Sequence, residues 1–178
     1  MPGLPTKREG VVEEIQGAVR NGCRSLLVQG LPGSRRLSCA RRALAAGRFK
    51  VVVMDLGSVR SRGDLDVAFR RVTGRKDFYS GMRCFQRQGM RRRLALIFHN
   101  FDGCARSPFE DRIVYRLWFE LRNHCRSPIV VFTTTNPDFV ARCVESYESF
   151  RSYVRLVSFE PKFGESDSAM NGTVRRAS

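Results

Sequence analysis

A glycine-rich turn provides the first residues in this sequence that could bind a phosphate. It reads Gly30-Leu31-Pro32-Gly33-Ser34-Arg35-Arg36-Leu37 and aligns position for position with the pattern G-x-x-x-x-G-K-[ST]. In that pattern the second glycine lets the backbone wrap a phosphate, the lysine bridges the outer phosphates and the hydroxyl holds Mg²⁺. Arg35, Arg36 and Leu37 stand at these three positions, so the residue that would hold the metal has no hydroxyl.

Two interpretations of this turn remain open. Gly30, Gly33 and Ser34, together with the N-terminus of the following helix, could cradle an anion that Arg35 and Arg36 would neutralise. A glycine-rich turn with a purely structural use explains the same residues. The structural interpretation is favoured, because a helix N-terminus with charge pairing stabilises an anion only weakly.

A second polar cluster follows the apolar run 94–98. Enzymes that hydrolyse nucleotides carry two acids at the end of such a strand, one for Mg²⁺ and one for the attacking water. His99 and Asn100 occupy these slots, and neither supplies an anionic field. For His99 a hydrogen-bonded structural role is favoured over a general base or a metal ligand, because no acid is adjacent to orient it. We therefore expect no catalytic residue and no bound cofactor.

The neighbours of this pair are expected to be structural as well. We expect Asn100 to bond to backbone at the strand end, and Asp102 to cap the next turn or pair with an arginine. The run 133–136 (Thr-Thr-Thr-Asn) stands where nucleotide hydrolases place a polar sensor of the terminal phosphate. A threonine-rich strand end followed by a turn is the favoured interpretation.

Alternating apolar runs and helical patterns must position these clusters. Strands are predicted over 25–30, 49–56, 94–101, 129–135 and 154–159, and helices over 37–46, 64–72, 78–90, from 107 onward and over 139–147. This alternation predicts an α/β fold with three layers and a five-stranded, mostly parallel sheet. We expect one domain over residues 1–163 and a disordered tail over 164–178.

The charge of the chain is its most unusual bulk property. The net charge is +15, and 28 of the 32 basic residues are arginines. Such a field favours nucleic acid or an acidic partner, although an arginine-rich proteome would give the same bias. The sequence candidates for DNA contact are Arg60 and Arg62 in the loop 58–63, and Arg91, Arg92 and Arg93, and a shared basic face is a further expectation.

The cysteines and the apolar runs exclude several classes of protein. The six cysteines are widely spread without a C-x-x-C pair, which argues against a zinc site and a disulfide scaffold. We therefore expect free thiols and no metal. No apolar run reaches membrane-spanning length and no signal peptide is recognisable, so an intracellular protein without membrane contact is expected.

Taken together, the two clusters resemble a known family. The strand end reads Ile97-Phe98-His99-Asn100-Phe101-Asp102 with Arg106 following. This run and the altered glycine loop resemble the AAA+ ATPases of origin recognition, and most of all subunit 2 of the eukaryotic origin recognition complex. The resemblance covers about residues 8–163, and the His-Asn strand end is its most specific part.

The resemblance implies a P-loop (AAA+-like) domain that does not hydrolyse ATP. It also implies a nuclear protein that scaffolds a ring around double-stranded DNA, with the other origin recognition complex subunits and the replicative helicase-loading machinery as partners. The winged helix of the family is not recognisable in this sequence, so either a strongly reduced form or a piece of a longer protein is expected. Two alternatives remain: a divergent active P-loop enzyme, with Arg36 replacing the lysine and Asp55 or Asp102 as the metal acid, and a free-standing nucleic-acid-binding protein.

Overall fold

The computed structural model describes residues 7–106, 117, 120, 121, 123, 125–136 and 154–159. The predicted helix start at 107–110, the predicted helix 139–147 and the predicted tail 164–178 lie outside these residues. The described elements follow one another in this order: α1 Lys7–Arg20, β1 Ser25–Gln29, α2 Arg36–Ala46, β2 Lys50–Asp55, α3 Arg62–Thr73, α4 Phe78–Arg91, β3 Leu94–His99, a 3₁₀ helix Phe101–Arg106, β4 Ile129–Thr134 and β5 Arg155–Ser158.

The five strands form one sheet in the order β2-β3-β4-β1-β5. Every pairing is parallel, so the predicted α/β class is confirmed and the sheet is fully parallel where a mostly parallel one was expected. β3 and β4 are buried almost along their whole length, as expected for central strands covered on both faces. Because all strands run the same way, their carboxyl ends meet at one edge.

Successive strand residues point to opposite faces of the sheet, and each face has its own core. Leu26, Val28 and Ile97 belong to the core beneath α1 and α2. Leu27, Leu96 and Phe98 belong to the core beneath α3 and α4. The chain thus has the three layers that the alternation of strands and helices predicted.

Phe69 is the centre of the second core. It is fully buried, and its ring meets the edge of Phe78 with the centroids 4.7 Å apart. Gly81 of α4 lies directly against it, since a Cβ at Gly81 would be 2.6 Å from Phe69 Cδ1. The absent side chain therefore lets α4 approach α3 closely.

Most predicted elements are present with small shifts of their ends. α3 and α4 begin one residue after Ser61 and Asp77, whose side chains accept hydrogen bonds from Asp64 N and Ser80 N, as N-cap residues do. The predicted strand 94–101 was too long: β3 ends at His99 because Asn100 has a φ of 53°, which no strand tolerates. α1 was not among the predicted helices.

Among the described helices, none combines the length and the apolar character required to cross a membrane.

Candidate functional site

The carboxyl ends of β1, β3 and β4 bring the two sequence clusters together. Gln29 pairs with Thr134, and Asp55 at the end of β2 pairs with His99. The backbone amide of Gly30 donates to Thr134 O at 3.2 Å. The glycine-rich turn, the His-Asn pair and the threonine run are therefore neighbours at this edge, which is where ligands bind in open parallel sheets.

The glycine-rich turn keeps a tight backbone without its second motif glycine. Arg35 stands at that position with φ 59° and ψ 27°, in the left-handed region, and its side chain does not cap α2. Gly33 also has a positive φ of 83°. Gly30 has no room for a side chain, because a Cβ there would lie 2.5 Å from Ser34 Oγ and 2.9 Å from Phe159.

Arg36, at the position of the motif lysine, lies inside this turn and is only 7% exposed. Its Nη1 donates to the carbonyl oxygens of Gly30 and Leu31, both at 3.3 Å. Its Nη2 donates to Asn100 Oδ1 at 3.1 Å. Burial lowers the pKa of Arg36 and the charge of Asp102 opposes this shift, but a guanidinium remains protonated at any physiological pH.

Asn100 connects Arg36 to the end of β2. Its Nδ2 donates to Asp55 Oδ1 at 3.0 Å, and the same oxygen accepts from Gly57 N at 2.9 Å. The prediction that the Asn100 side chain bonds to backbone was therefore wrong. The left-handed backbone at Asn100 turns the chain out of the strand, so its amide reaches the side chains at the start of α2 and at the end of β2.

His99 is held by a threonine of the adjacent strand. His99 Nδ1 and Thr133 Oγ1 share a hydrogen bond of 2.7 Å, and Thr133 Oγ1 also accepts from Asn100 N at 3.3 Å. Thr133 is fully buried. Burial lowers the pKa of His99, a shift to which the Arg36 charge adds and which the carboxylates of Asp55 and Asp102 oppose. The lowered pKa favours the neutral form of the imidazole at pH 7.

Asp102 is buried beside the same threonine run. Thr135 Oγ1 donates to Asp102 Oδ2 at 2.6 Å, and Thr134 Oγ1 accepts from Asn136 N. The charge of Asp102 also acts on Arg36, whose pKa it raises against the effect of burial. Thr133 and Thr135 therefore hold the segment from His99 to Asp102 by hydrogen bonds. The sequence interpretation missed this role, although the adjacency of parallel strand ends could have indicated it.

Three buried polar atoms at this edge have no hydrogen-bond partner among the described residues: Ser34 Oγ, Arg36 Nε and Asp102 Oδ1. Both carboxylates of the site, Asp55 and Asp102, already accept hydrogen bonds from Asn100 and Thr135. Within the part of the chain that the structure describes, no group of three or more His, Cys, Asp or Glu side chains could hold a metal ion. The polar groups of the described site therefore form hydrogen bonds mainly with one another.

The five arginines predicted to contact DNA do not share one face. Arg60 and Arg62 follow β2 at the carboxyl edge of the sheet, whereas Arg91, Arg92 and Arg93 precede β3 at the amino edge. The expected shared basic face is therefore wrong for these residues. In a parallel sheet, the carboxyl end of β2 and the amino end of β3 lie on opposite edges.

Four of these arginines are also engaged within the chain. Arg60 Nη1 donates to Val59 O and to Gly103 O at 2.7 Å. The Arg62 guanidinium lies 5.9 Å from the Tyr79 ring centroid and that of Arg93 lies 4.3 Å from Phe49. Arg92 donates to Gln88 Oε1. Arg91 alone of the five is exposed with no hydrogen bond or ring contact to a described residue.

Four cysteines are described as free thiols, namely Cys23, Cys39, Cys84 and Cys125. Cys39 and Cys125 are buried, and burial raises the pKa of Cys125 to about 12, so this thiol does not ionise at neutral pH. Cys23 and Cys84 are half-buried and line two different surface grooves.

Neither the protein-family models nor the curated protein sequences match this chain. Solved structures do: the ORC2 protein of Aeropyrum pernix in ADPNP and ADP complexes (TM-score 0.58, 13% identity) and Cdc6p of Pyrobaculum aerophilum (TM-score 0.58, 13% identity). A third is the Drosophila ORC bound to AT-rich DNA and Cdc6 (TM-score 0.52, 12% identity).

Each similarity covers 88% of this chain and 49%, 46% and 62% of the respective neighbour. The chain thus spans about half the length of the first two. At such identities the likeness concerns the fold. The chain has an α/β fold with a parallel sheet, similar to the fold of these origin-recognition and Cdc6 structures.

Proposed function

We propose that this chain is a non-catalytic AAA+-like subunit of an origin recognition complex, of the kind represented by subunit 2. It would scaffold the ring that binds origin DNA and loads the replicative helicase in the nucleus. Its partners would be the other subunits of that complex, double-stranded DNA and the helicase-loading machinery. The similarity to origin-recognition and Cdc6 structures supports the replication-initiation role at the level of the fold.

The placement of Arg36 carries the non-catalytic part of the proposal. Its guanidinium lies in the turn that would receive a phosphate and donates to two carbonyl oxygens of that turn. Carbonyl oxygens facing the site repel a phosphate, whereas a functioning loop presents N–H groups. Leu37 supplies no hydroxyl for Mg²⁺, and Asn100 is bonded to Arg36 where an acid would be needed.

Co-purification tests the scaffold role directly. The chain is tagged in its native cells and purified at moderate salt, and the accompanying proteins are identified by mass spectrometry. We expect origin-complex subunits in stoichiometric amounts. A variant with an exposed change away from the site, Arg41→Ala, should retain them. If no such subunit accompanies the wild-type chain, the scaffold proposal is wrong.

Titration with Mg-ATP distinguishes this proposal from a divergent active enzyme. We expect neither submillimolar heat of binding nor turnover with the wild-type chain. Replacing Arg35, Arg36 and Leu37 with Gly, Lys and Thr should permit binding, which would identify these residues as the cause. Adding His99→Asp and Asn100→Glu to the wild-type chain should give no ATPase, because Leu37 still offers no metal ligand. Wild-type turnover that Arg36→Lys reduces would contradict the proposal.

The proteins that co-purify with the chain also distinguish this proposal from a free-standing nucleic-acid-binding protein. Such a protein would bind duplex DNA with a steep salt dependence and would purify from cells without origin-complex subunits. A subunit of the complex would purify with those proteins whether or not the isolated chain also binds DNA.

A further inference from the structure

The outer face of α4 carries a row of arginines that has no use within the described structure. Arg83, Arg87 and Arg91 recur every fourth residue of the helix, and Arg75 of the preceding turn joins them. All four are exposed. They line a groove of about 430 Å³ together with Ser80, Cys84 and Gln88. We call these four residues the α4 arginine row.

The guanidinium groups of this row make no hydrogen bond to any residue that the structure describes, in contrast to those of Arg60 and Arg92. α4 itself contains no acidic residue. The adjacent acid, Asp77, caps the helix by accepting from Ser80 N, and its charge interacts with that of Arg83. Four like charges along one groove repel one another, and an anionic partner would relieve this repulsion.

From this surface we infer that the α4 arginine row binds the phosphate backbone of duplex DNA. Among the residues that the structure describes, the groove is lined by arginines, Ser80, Gln88 and a thiol. A protein partner would require an apolar or aromatic anchor at the centre of the interface, and single-stranded nucleic acid would require aromatic rings for base stacking. The described lining supplies neither, whereas arginine, serine and glutamine are common donors to DNA phosphates.

The dimensions of the row fit a duplex. From Arg83 to Arg91 the helix rises about 12 Å at 1.5 Å per residue, and duplex DNA carries one charge about every 1.7 Å of its axis. A row of this length therefore spans several phosphates of a duplex. Arg92 also donates to Gln88 Oε1. Because Gln88 lines the groove, a fifth positive charge lies next to it.

A competing groove lies at the amino edge of the sheet and is lined by Cys23, Arg24 and Arg91–Arg93 among others. Its arginines are largely occupied: Arg24 Nη1 donates to Ser127 O at 3.1 Å, and Arg93 covers the Phe49 ring. The α4 groove therefore offers more free donors.

This inference rests on the DNA contact within the proposed function, and its failure is distinguishable from the failure of that proposal. Loss of the origin-complex partners would reject the proposed function. DNA binding that does not depend on the α4 arginine row would reject only the inference.

The first test compares two double variants of the full chain by fluorescence anisotropy with labelled duplex DNA. Arg83→Gln/Arg87→Gln changes the row, and Arg41→Gln/Arg42→Gln removes the same charge from exposed positions of α2. We expect the row variant to bind about 25-fold more weakly at 0.15 M salt, with a salt slope smaller by about 1.8, from roughly 0.9 counterions per phosphate. The α2 variant should bind nearly as the wild type does. Equal losses in both variants would overturn the inference.

The second test uses the two half-buried thiols as reporters. Alkylation of each cysteine is followed by peptide mass spectrometry with and without saturating duplex DNA. We expect DNA to protect Cys84, in the α4 groove, and to leave Cys23 unchanged. Protection of Cys23 alone would assign the contact to the amino-edge groove, and protection of neither would place it elsewhere. Both of these results would overturn the inference.

Discussion

Arg36 and Asn100 are hydrogen-bonded to each other, with Arg36 Nη2 donating to Asn100 Oδ1 at 3.1 Å. These residues stand at the motif lysine and at the second position of the acidic pair, 64 residues apart in the chain. In a nucleotide-binding site both positions would face the ligand. Here they form a hydrogen bond with each other, and Asn100 Nδ2 also donates to Asp55 Oδ1. The altered residues of the two motifs therefore form one structural unit.

Arg36 should be a major contributor to stability. Arg36→Ala leaves the oxygens of Gly30 and Asn100 without their donor and removes the positive charge beside buried Asp102. We expect the free energy of unfolding to fall by about 3 kcal/mol, measured by chemical denaturation.

Arg36→Lys retains the charge but not the planar fork, and should lose roughly half of that amount. The control Arg41→Ala, exposed on the same helix, should stay within about 0.5 kcal/mol of the wild type. Equal values for Arg36→Ala and Arg41→Ala would contradict the buried network.

Arg35 is in a backbone conformation that suits glycine. Its φ of 59° costs a residue with a Cβ about 1 kcal/mol, although glycine also gains entropy in the unfolded chain. We expect Arg35→Gly to be neutral or to stabilise by up to about 1 kcal/mol in thermal denaturation. The matched change Arg41→Gly, in the interior of α2, should destabilise by about 1 kcal/mol. A comparable loss in both variants would exclude the left-handed conformation at residue 35.

Gly103 allows the 3₁₀ helix to touch the loop after β2. A Cβ at residue 103 would lie 2.6 Å from Gly57 Cα and 2.8 Å from Leu56 O, and backbone atoms cannot move aside easily. We expect Gly103→Ala to destabilise by about 1–3 kcal/mol. Gly17→Ala has open space around its new methyl group within α1 and should stabilise by about 0.5–1 kcal/mol. Denaturation of both variants measures the difference, and the same sign in both would refute this packing.

His99 should make the protein sensitive to mild acid. Burial holds its pKa below the ordinary 6.5, so below pH 6.5 the unfolded chain binds a proton that the folded chain resists. Its contribution is intact above pH 6.5 and is lost as the pH falls toward the folded pKa, by at most about 1.4 kcal/mol per pH unit. Asp64 and Asp77 have pKa values that are lowered by hydrogen bonds from backbone amides. They therefore change the unfolding free energy with pH only below about pH 4.

The unfolding free energy at pH 7.5 and 5.5 tests this. The loss on acidification should be smaller in His99→Gln than in the wild type, and His124→Gln serves as the control with the other histidine. If His124→Gln removes the acid sensitivity and His99→Gln does not, the assignment to His99 is wrong.

Several features could be predicted from the sequence because they depend on local patterns. The valine-rich run of β2 and the apolar run of β3 identified strands, and Ser61 and Asp77 are typical caps of the helices that follow them. The alternation of these elements was enough for the α/β class. The loss of the metal hydroxyl at Leu37 is visible from spacing alone.

Contacts across the sheet edge could not be predicted in the same way. The expectation of backbone bonding for Asn100 failed because its partners, Arg36 and Asp55, come from the start of α2 and the end of β2. Thr133 and Thr135 hold His99 and Asp102 only because β4 lies beside β3. The sequence could not show whether the basic clusters converge, and the parallel sheet places Arg60 and Arg91 at opposite edges.

The sequence by itself determined the strands, the helices and the absence of the motif hydroxyl, because periodicity, capping and side-chain chemistry act over a few neighbouring residues. Only the tertiary structure decided that Arg36 points into its own turn, that the threonines clamp the His-Asn pair, and that the free arginines lie along α4. These outcomes depend on which strands lie side by side and which helix face remains exposed. Both are set by packing between residues that are tens of positions apart in the sequence.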